Sequence, residues 1–124
     1  MKNINNISIY SESSIIEAMD KMTKSSSKTL LVIDKKKKLI GVLTDGDIRR
    51  YILSGNGLDS SIANAFNQEP FILTEDNLNH KKNSKLLFKK YNIDTIPIID
   101  PSGTLKDYIS LNDIYDKDKI NYQN

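Results

Sequence analysis

Gly41-Val-Leu-Thr44-Asp45-Gly46-Asp47-Ile48-Arg49-Arg50 is answered 66 positions later by Asp107-Tyr-Ile-Ser110-Leu111-Asn112-Asp113-Ile114. In both copies a stretch suited to a strand leads into Thr or Ser, and an Asp follows three residues on, as at the start of a helix. The same offset pairs Thr29-Leu-Leu-Val-Ile-Asp34 with Thr95-Ile-Pro-Ile-Ile-Asp100, and Leu39 with Leu105, without a gap. Register kept over that distance marks a duplication. Upstream the offset falls to 63, where Ser14-Ile15 resembles Asn77-Leu78, so about three extra residues enter the first helix of the second repeat.

Period and punctuation give each repeat its elements. Ser14-Ile-Ile-Glu17 is a capping-box string followed by Ile15, Ala18, Met19 and Met22 at helical spacing, which predicts a helix over 14–24. Leu30 to Ile33 and Leu39 to Thr44 predict a hairpin across Asp34-Lys35-Lys36-Lys37-Lys38, and a helix over 45–53 stops at Gly55 and Gly57. The second half predicts a strand over 71–73, a helix over 76–91, strands over 95–99 and 105–109 around Pro101-Ser102-Gly103, and a last helix opening over 111–115. A short helix near 60–66 joins the halves, and 119–124 reads as a polar tail. The expectation is an α+β fold of two βαββα repeats, 7–55 and 62–118, in one domain. Neither repeat can cover both faces of so few strands, so the two pack around a pseudo-two-fold axis with clefts between them.

Composition narrows the function. With 18 basic and 16 acidic residues, the net charge of +2 is a near balance that does not point to nucleic acid. There is no cysteine, hence no disulfide framework or thiolate chemistry. The longest apolar run, Leu30 to Ile33, is far too short to span a membrane, and a soluble cytoplasmic protein is expected.

Thr44-x-x-Asp47 and Ser110-x-x-Asp113 are adequate as plain helix caps. Their recurrence at matching places beside an inter-repeat cleft suggests more. A bare helix N-terminus suits an anion, whereas an Asp in its first turn repels phosphate and offers carboxylate oxygens to a diol such as ribose. Phosphate then needs a separate cation, and the chain's two arginines, Arg49 and Arg50, follow Asp47 directly. His80 has no His or Cys companion for a metal, the Lys35 to Lys38 run reads as a solvated turn, and Met19, Met22, Leu86, Leu87 and Phe88 read as core.

On these residues the chain, from about Ile7 to Asp116, resembles a pair of CBS domains, the tandem repeat called a Bateman module. Ser14-Ile15-x-x-Ala18, the strand before Asp34, Gly41-x-x-Thr44-x-x-Asp47, Ile96-Pro97-Ile98-Ile99-Asp100 and Ser110-x-x-Asp113 carry the likeness. The resemblance implies a regulatory, non-catalytic module that binds an adenosine-type ligand (AMP, ADP or ATP) in two clefts and pairs as a homodimer. Carried over, Thr44 and Asp47 would face Asp94 and Thr95, and Ser110 and Asp113 would face Lys28 and Thr29. Family members often add a basic residue before the second strand or after the Asp. Here Lys28, Arg49 and Arg50 do so in the first repeat, while Asp94, Tyr115 and Asp116 stand at the matching places in the second, and Asp107 replaces Gly41. The expectation is two unequal sites: Thr44/Asp47 the better for a nucleotide, Ser110/Asp113 weaker or suited to a less charged ligand. The Thr44 to Arg50 string also resembles CBS pairs attached to sugar-phosphate nucleotidyltransferases or arabinose-5-phosphate isomerases, and repeats that begin near Met1 suit the former as partner. The rival expectation is a ligand-free dimerisation or docking module whose Thr/Ser-x-x-Asp strings are caps alone.

Overall fold

Ser14 stops the chain from continuing as strand and begins a helix. Its backbone is extended, its hydroxyl accepts the Glu17 N–H, and the Glu17 carboxylate accepts the Ser14 N–H. The computed structural model, which describes residues 3–76, 80–91, 93–111 and 113, thus realises the capping box of helix α1 (Ile15–Ser25). Ile15, Ala18 and Met22 form its buried face, and Ser26 ends it in the left-handed conformation, its N–H bonded to the Met22 carbonyl.

Around α1 the first repeat places strands β1 (Ser8–Tyr10), β2 (Thr29–Ile33) and β3 (Leu39–Thr44), then helix α2 (Asp45–Leu53). β2 is central, parallel to β1 and antiparallel to β3, which is why all five of its residues are buried and its sequence is an unbroken apolar run after Thr29. The second repeat repeats the order with β4 (Leu73–Thr74), α3 (His80–Tyr91), β5 (Thr95–Ile99) and β6 (Leu105–Ser110), β5 again central. Leu111 and Asp113 are helical; the rest of the expected last helix and the 119–124 tail lie outside the described residues, as does the His80 side chain.

The two hairpin turns are built alike. Asp34 Oδ1 accepts the N–H groups of Lys36 and Lys38, and Asp100 Oδ1 those of Ser102 and Thr104. Lys37 takes a φ of 68° where the second repeat has Gly103 at 92°. The Ser102 hydroxyl, assisted by the Thr104 and Ser102 N–H groups and Lys106, holds the Asp100 carboxyl below its ordinary value against a smaller burial effect. The turns also grip each other: Leu39 N–H donates to the Gly103 carbonyl and Leu105 N–H to the Lys37 carbonyl, both at 3.0 Å. A shift of 66 residues exchanges the two bonds, so the pseudo-two-fold axis passes between them. Leu105 and Tyr108 of the second repeat pack on the first repeat's core, while Phe88, Ile96, Ile98 and Ile109 centre a second cluster.

Several expectations shift. The joining helix is a single 3-10 turn, Ile62–Asn64, because the chain on either side is held extended: Ile15 N–H bonds to Ser60 O and Ile62 N–H to Ser13 O, then Val42 and Asn67 exchange both backbone bonds. Ile62 is thereby sealed into the first core. The fourth strand is Leu73–Thr74 and not 71–73, since Phe71 stacks on Tyr91 at the surface, ring centroids 4.2 Å apart, and Ile72 is exposed. Met22 and Phe88 are core as expected, but Met19 (40% exposed) and Leu86 (70%) are open to solvent.

Candidate ligand site between the repeats

Strand pairing brings the two cap strings to the junction. In the first repeat Thr29 lies opposite Thr44, and the N–H of Asp45 bonds to the Lys28 carbonyl; in the second Thr95 lies opposite Ser110, and the N–H of Leu111 bonds to the Asp94 carbonyl. Each helix start is therefore fastened to the residue before the central strand.

Both strings form reciprocal caps. Thr44 Oγ1 accepts the Asp47 N–H at 3.1 Å while Asp47 Oδ2 accepts the Thr44 N–H at 3.0 Å. Ser110 Oγ accepts the Asp113 N–H at 3.3 Å while Asp113 Oδ2 accepts the Ser110 N–H at 3.0 Å. Asp47 Oδ1 also receives Arg50 Nη2 at 2.8 Å. Arg49 lines a different place, the groove between α1 and α2 with Met19, Met22, Ile48 and Ile52, where its nearest acid is Asp45 at 3.8 Å.

At the second cap a cavity of about 380 Å³ opens between the repeats. Lys28 and the Ser25 to Ser27 turn form its first-repeat wall, with Ile7; Asp94, Thr95, Tyr108, Ser110 and Leu111 form the other. Of the residues expected to face one another, Ser110 and Lys28 share this cavity. Asp94 and Thr95, expected opposite Thr44 and Asp47, line it too, and among the described residues no hydrogen bond or ion pair joins either to Thr44 or Asp47. Thr29 is buried, and its hydroxyl donates across the repeat junction to Asp94 Oδ1 at 2.6 Å; Thr95 donates to the same oxygen at 3.2 Å. A larger groove of about 770 Å³ lies along β1 and α1, and it holds none of the expected site residues.

Two contributors had gone unmarked. Tyr108 reads as one more strand residue, and its phenol is pushed up by burial, then by the charges of Asp113 and Asp107. The triple serine before Lys28 reads as a loop, though a left-handed Ser26 and the Ser27 hydroxyl, bonded to Thr29 O at 2.7 Å, shape it into a wall. Gly41 is required by packing: a Cβ there would collide with the Phe66 ring and the Asn67 carbonyl of the joining segment.

Two small sheets related by a pseudo-two-fold, with capped helices at the junction, define the fold of a CBS domain pair. Residues 1–54 match the family model described as CBS domain, and this part of the chain is a CBS domain. The chain is similar to inosine-5'-monophosphate dehydrogenase of Aquifex aeolicus, 28% identical over 116 residues, and to arabinose 5-phosphate isomerase GutQ of Salmonella typhi, 29% identical over 102 residues. These alignments cover 94% and 82% of the chain but 23% and 31% of those relatives, so it spans about a quarter to a third of their length. Among solved structures, the CBS domain pair of protein MJ0100, in complex with 5'-methylthioadenosine and S-adenosyl-L-methionine, matches with a TM-score of 0.75 at 24% identity over 88% of this chain and 84% of that one. PAE2072 of Pyrobaculum aerophilum, complexed with AMP, matches with a TM-score of 0.72 at 18% identity over 91% and 89%. Among the described residues no helix is long and apolar enough to cross a membrane, and no group of three or more His, Cys, Asp and Glu could hold a metal ion.

Proposed function

We propose that the chain is a cytoplasmic ligand-sensing regulatory module that binds an adenosine-type molecule between its repeats and passes the occupancy to an attached or partner enzyme. The observation that carries this reading is the inter-repeat cavity, walled by both repeats and combining hydroxyls, one carboxylate, one amine and an aromatic ring in a volume fit for a nucleoside. A ligand touching both repeats binds their alternative arrangements with different affinity, which is what shifts such an equilibrium. The structural neighbours solved with methylthioadenosine, S-adenosylmethionine or AMP support the ligand class.

The two ends take different ligands. At Thr44/Asp47, Arg50 is mostly exposed and its ion pair with Asp47 is weak, so a phosphate can draw it away. At Ser110/Asp113 no arginine is at hand among the described residues, and a less charged nucleoside is the better fit. The enzyme regulated is, on the resemblance, a sugar-phosphate nucleotidyltransferase or an arabinose-5-phosphate isomerase, and the likeness to GutQ supports the isomerase. Ile16 and Met19, three residues apart on α1, and Leu53, at the end of α2, are exposed apolar residues that support pairing of two modules.

Titration calorimetry with AMP and adenosine on Asp47→Ala and Asp113→Ala checks the assignment. Asp47→Ala is expected to weaken AMP binding about tenfold or more, and Asp113→Ala to weaken adenosine binding similarly. Equal effects of both changes on both ligands contradict unequal ends. The second reading, a ligand-free docking module, draws on the fact that both aspartates already serve their helix caps; binding of neither ligand would favour it.

A further inference from the structure

Asp94 stands on the wall of the Ser110 cavity, and its surroundings set the sign of the charge there. Oδ1 is fixed by the hydroxyls of Thr29 and Thr95, while Oδ2 has no partner among the described residues. The residue is half-buried. Lys28, the one cation lining the cavity among the described residues, is exposed, so water and salt screen it more than they screen Asp94. On the same wall Tyr108 feels Asp113 and Asp107, a sign that the local field is negative beyond Asp94 itself. A phosphate monoester brings a charge of about −1.5 to −2. Placed here it would face a half-buried carboxylate of like sign, whereas a neutral 5' group would not and a cationic one would be attracted.

We infer that Asp94 is a specificity-determining residue, and that the Ser110 cavity takes an adenosine-type ligand with a neutral or cationic 5' group and rejects its 5'-phosphorylated counterpart. This rests on the proposed reading that nucleosides occupy the cavity. It also gives a physical reason for the unlike residues at the two pseudo-equivalent positions, Lys28 and Asp94.

The amide signals of Ser110 and Leu111 in the labelled full chain report on this cavity, and following them during titration with adenosine, 5'-methylthioadenosine and AMP at low salt tests the inference. Both uncharged nucleosides are expected to saturate them at concentrations about tenfold lower than AMP. In Asp94→Asn, which keeps an acceptor for the Thr29 hydroxyl, tighter AMP binding should close that gap. Added salt should narrow it in the unaltered chain, a measurement that does not depend on the variant folding. AMP saturating these amides as readily as adenosine, or a gap indifferent to both salt and Asp94→Asn, would overturn the inference and leave the proposed function standing. If none of the three compounds moves these amides, the proposed use of the cavity fails, and the inference with it.

Discussion

Gly41→Val is expected to destabilise the fold by about 3 kcal/mol in urea denaturation. Gly41 is buried in β3, and the added Cβ meets the Phe66 ring and, more seriously, the backbone carbonyl of Asn67. A ring can rotate, but the carbonyl is held by the exchange of both backbone hydrogen bonds between Val42 and Asn67. Relief therefore requires the joining segment to lift from β3, which loosens the burial of Ile62 close by in sequence. The matching residue of the second repeat, Asp107, is exposed, and its carboxylate bonds to the N–H of Tyr108. Asp107→Val should change stability by less than about 1 kcal/mol. A Gly41→Val protein within about 0.5 kcal/mol of the unaltered chain would show that the joining segment is not anchored as described.

Thr29→Val should cost about 2 kcal/mol, and Thr95→Val about half as much. The Thr29 hydroxyl is buried, and its 2.6 Å bond to a carboxylate links residues 65 apart, one from each repeat. Hydrogen bonds to charged groups contribute roughly 1.5–3 kcal/mol, and valine has nearly the same shape but leaves Asp94 short of a donor in a half-buried place. The Thr95 bond is longer, at 3.2 Å, and reaches only the preceding residue, so it does not hold the repeats together. A double-mutant cycle with Asp94→Ala isolates the cross-repeat contribution. Equal effects of the two threonine changes, or additivity between Thr29→Val and Asp94→Ala, would mean that the bond does not join the repeats.

Where local chemistry decides structure, the sequence was readable. The Ser14/Glu17 capping box, the Thr29–Ile33 strand with its apolar run, and helix α2 from Asp45 to Leu53 follow from caps, period and glycine stops. Duplication supplied the rest of the plan, because a 66-residue shift that aligns strands must also align turns. What was lost depended on contacts distant in sequence. The joining segment's extended path is imposed by Ser13, Ser14 and Val42, and nothing within 60–66 announces it. Met19 and Leu86 sit at helical spacing with core residues, yet one step around the helix is the difference between burial and solvent. At the candidate site the caps were legible, since Thr-x-x-Asp is local. The wall opposite was not: that Asp94 and Lys28 line one cavity, and that Asp94 accepts the Thr29 hydroxyl, depend on how the repeats cross. Likewise Arg49 and Arg50, adjacent in sequence, diverge because neighbouring helix positions point about 100° apart, one to the α1/α2 groove and one to Asp47.

The central claim, that the junction of the repeats is a binding site for adenosine-type molecules, is tested most directly by thermal unfolding of the unaltered chain against adenosine, 5'-methylthioadenosine, S-adenosylmethionine, AMP, ADP and ATP. A ligand that binds the folded state alone adds about 2.7 kcal/mol at a hundred times its Kd, which for a domain of this size raises Tm on the order of 10 °C and continues to rise with the logarithm of concentration. At least one of the six is expected to behave in this way. A Tm unchanged by all six up to millimolar concentration would contradict the claim and leave the Thr/Ser-x-x-Asp strings as helix caps.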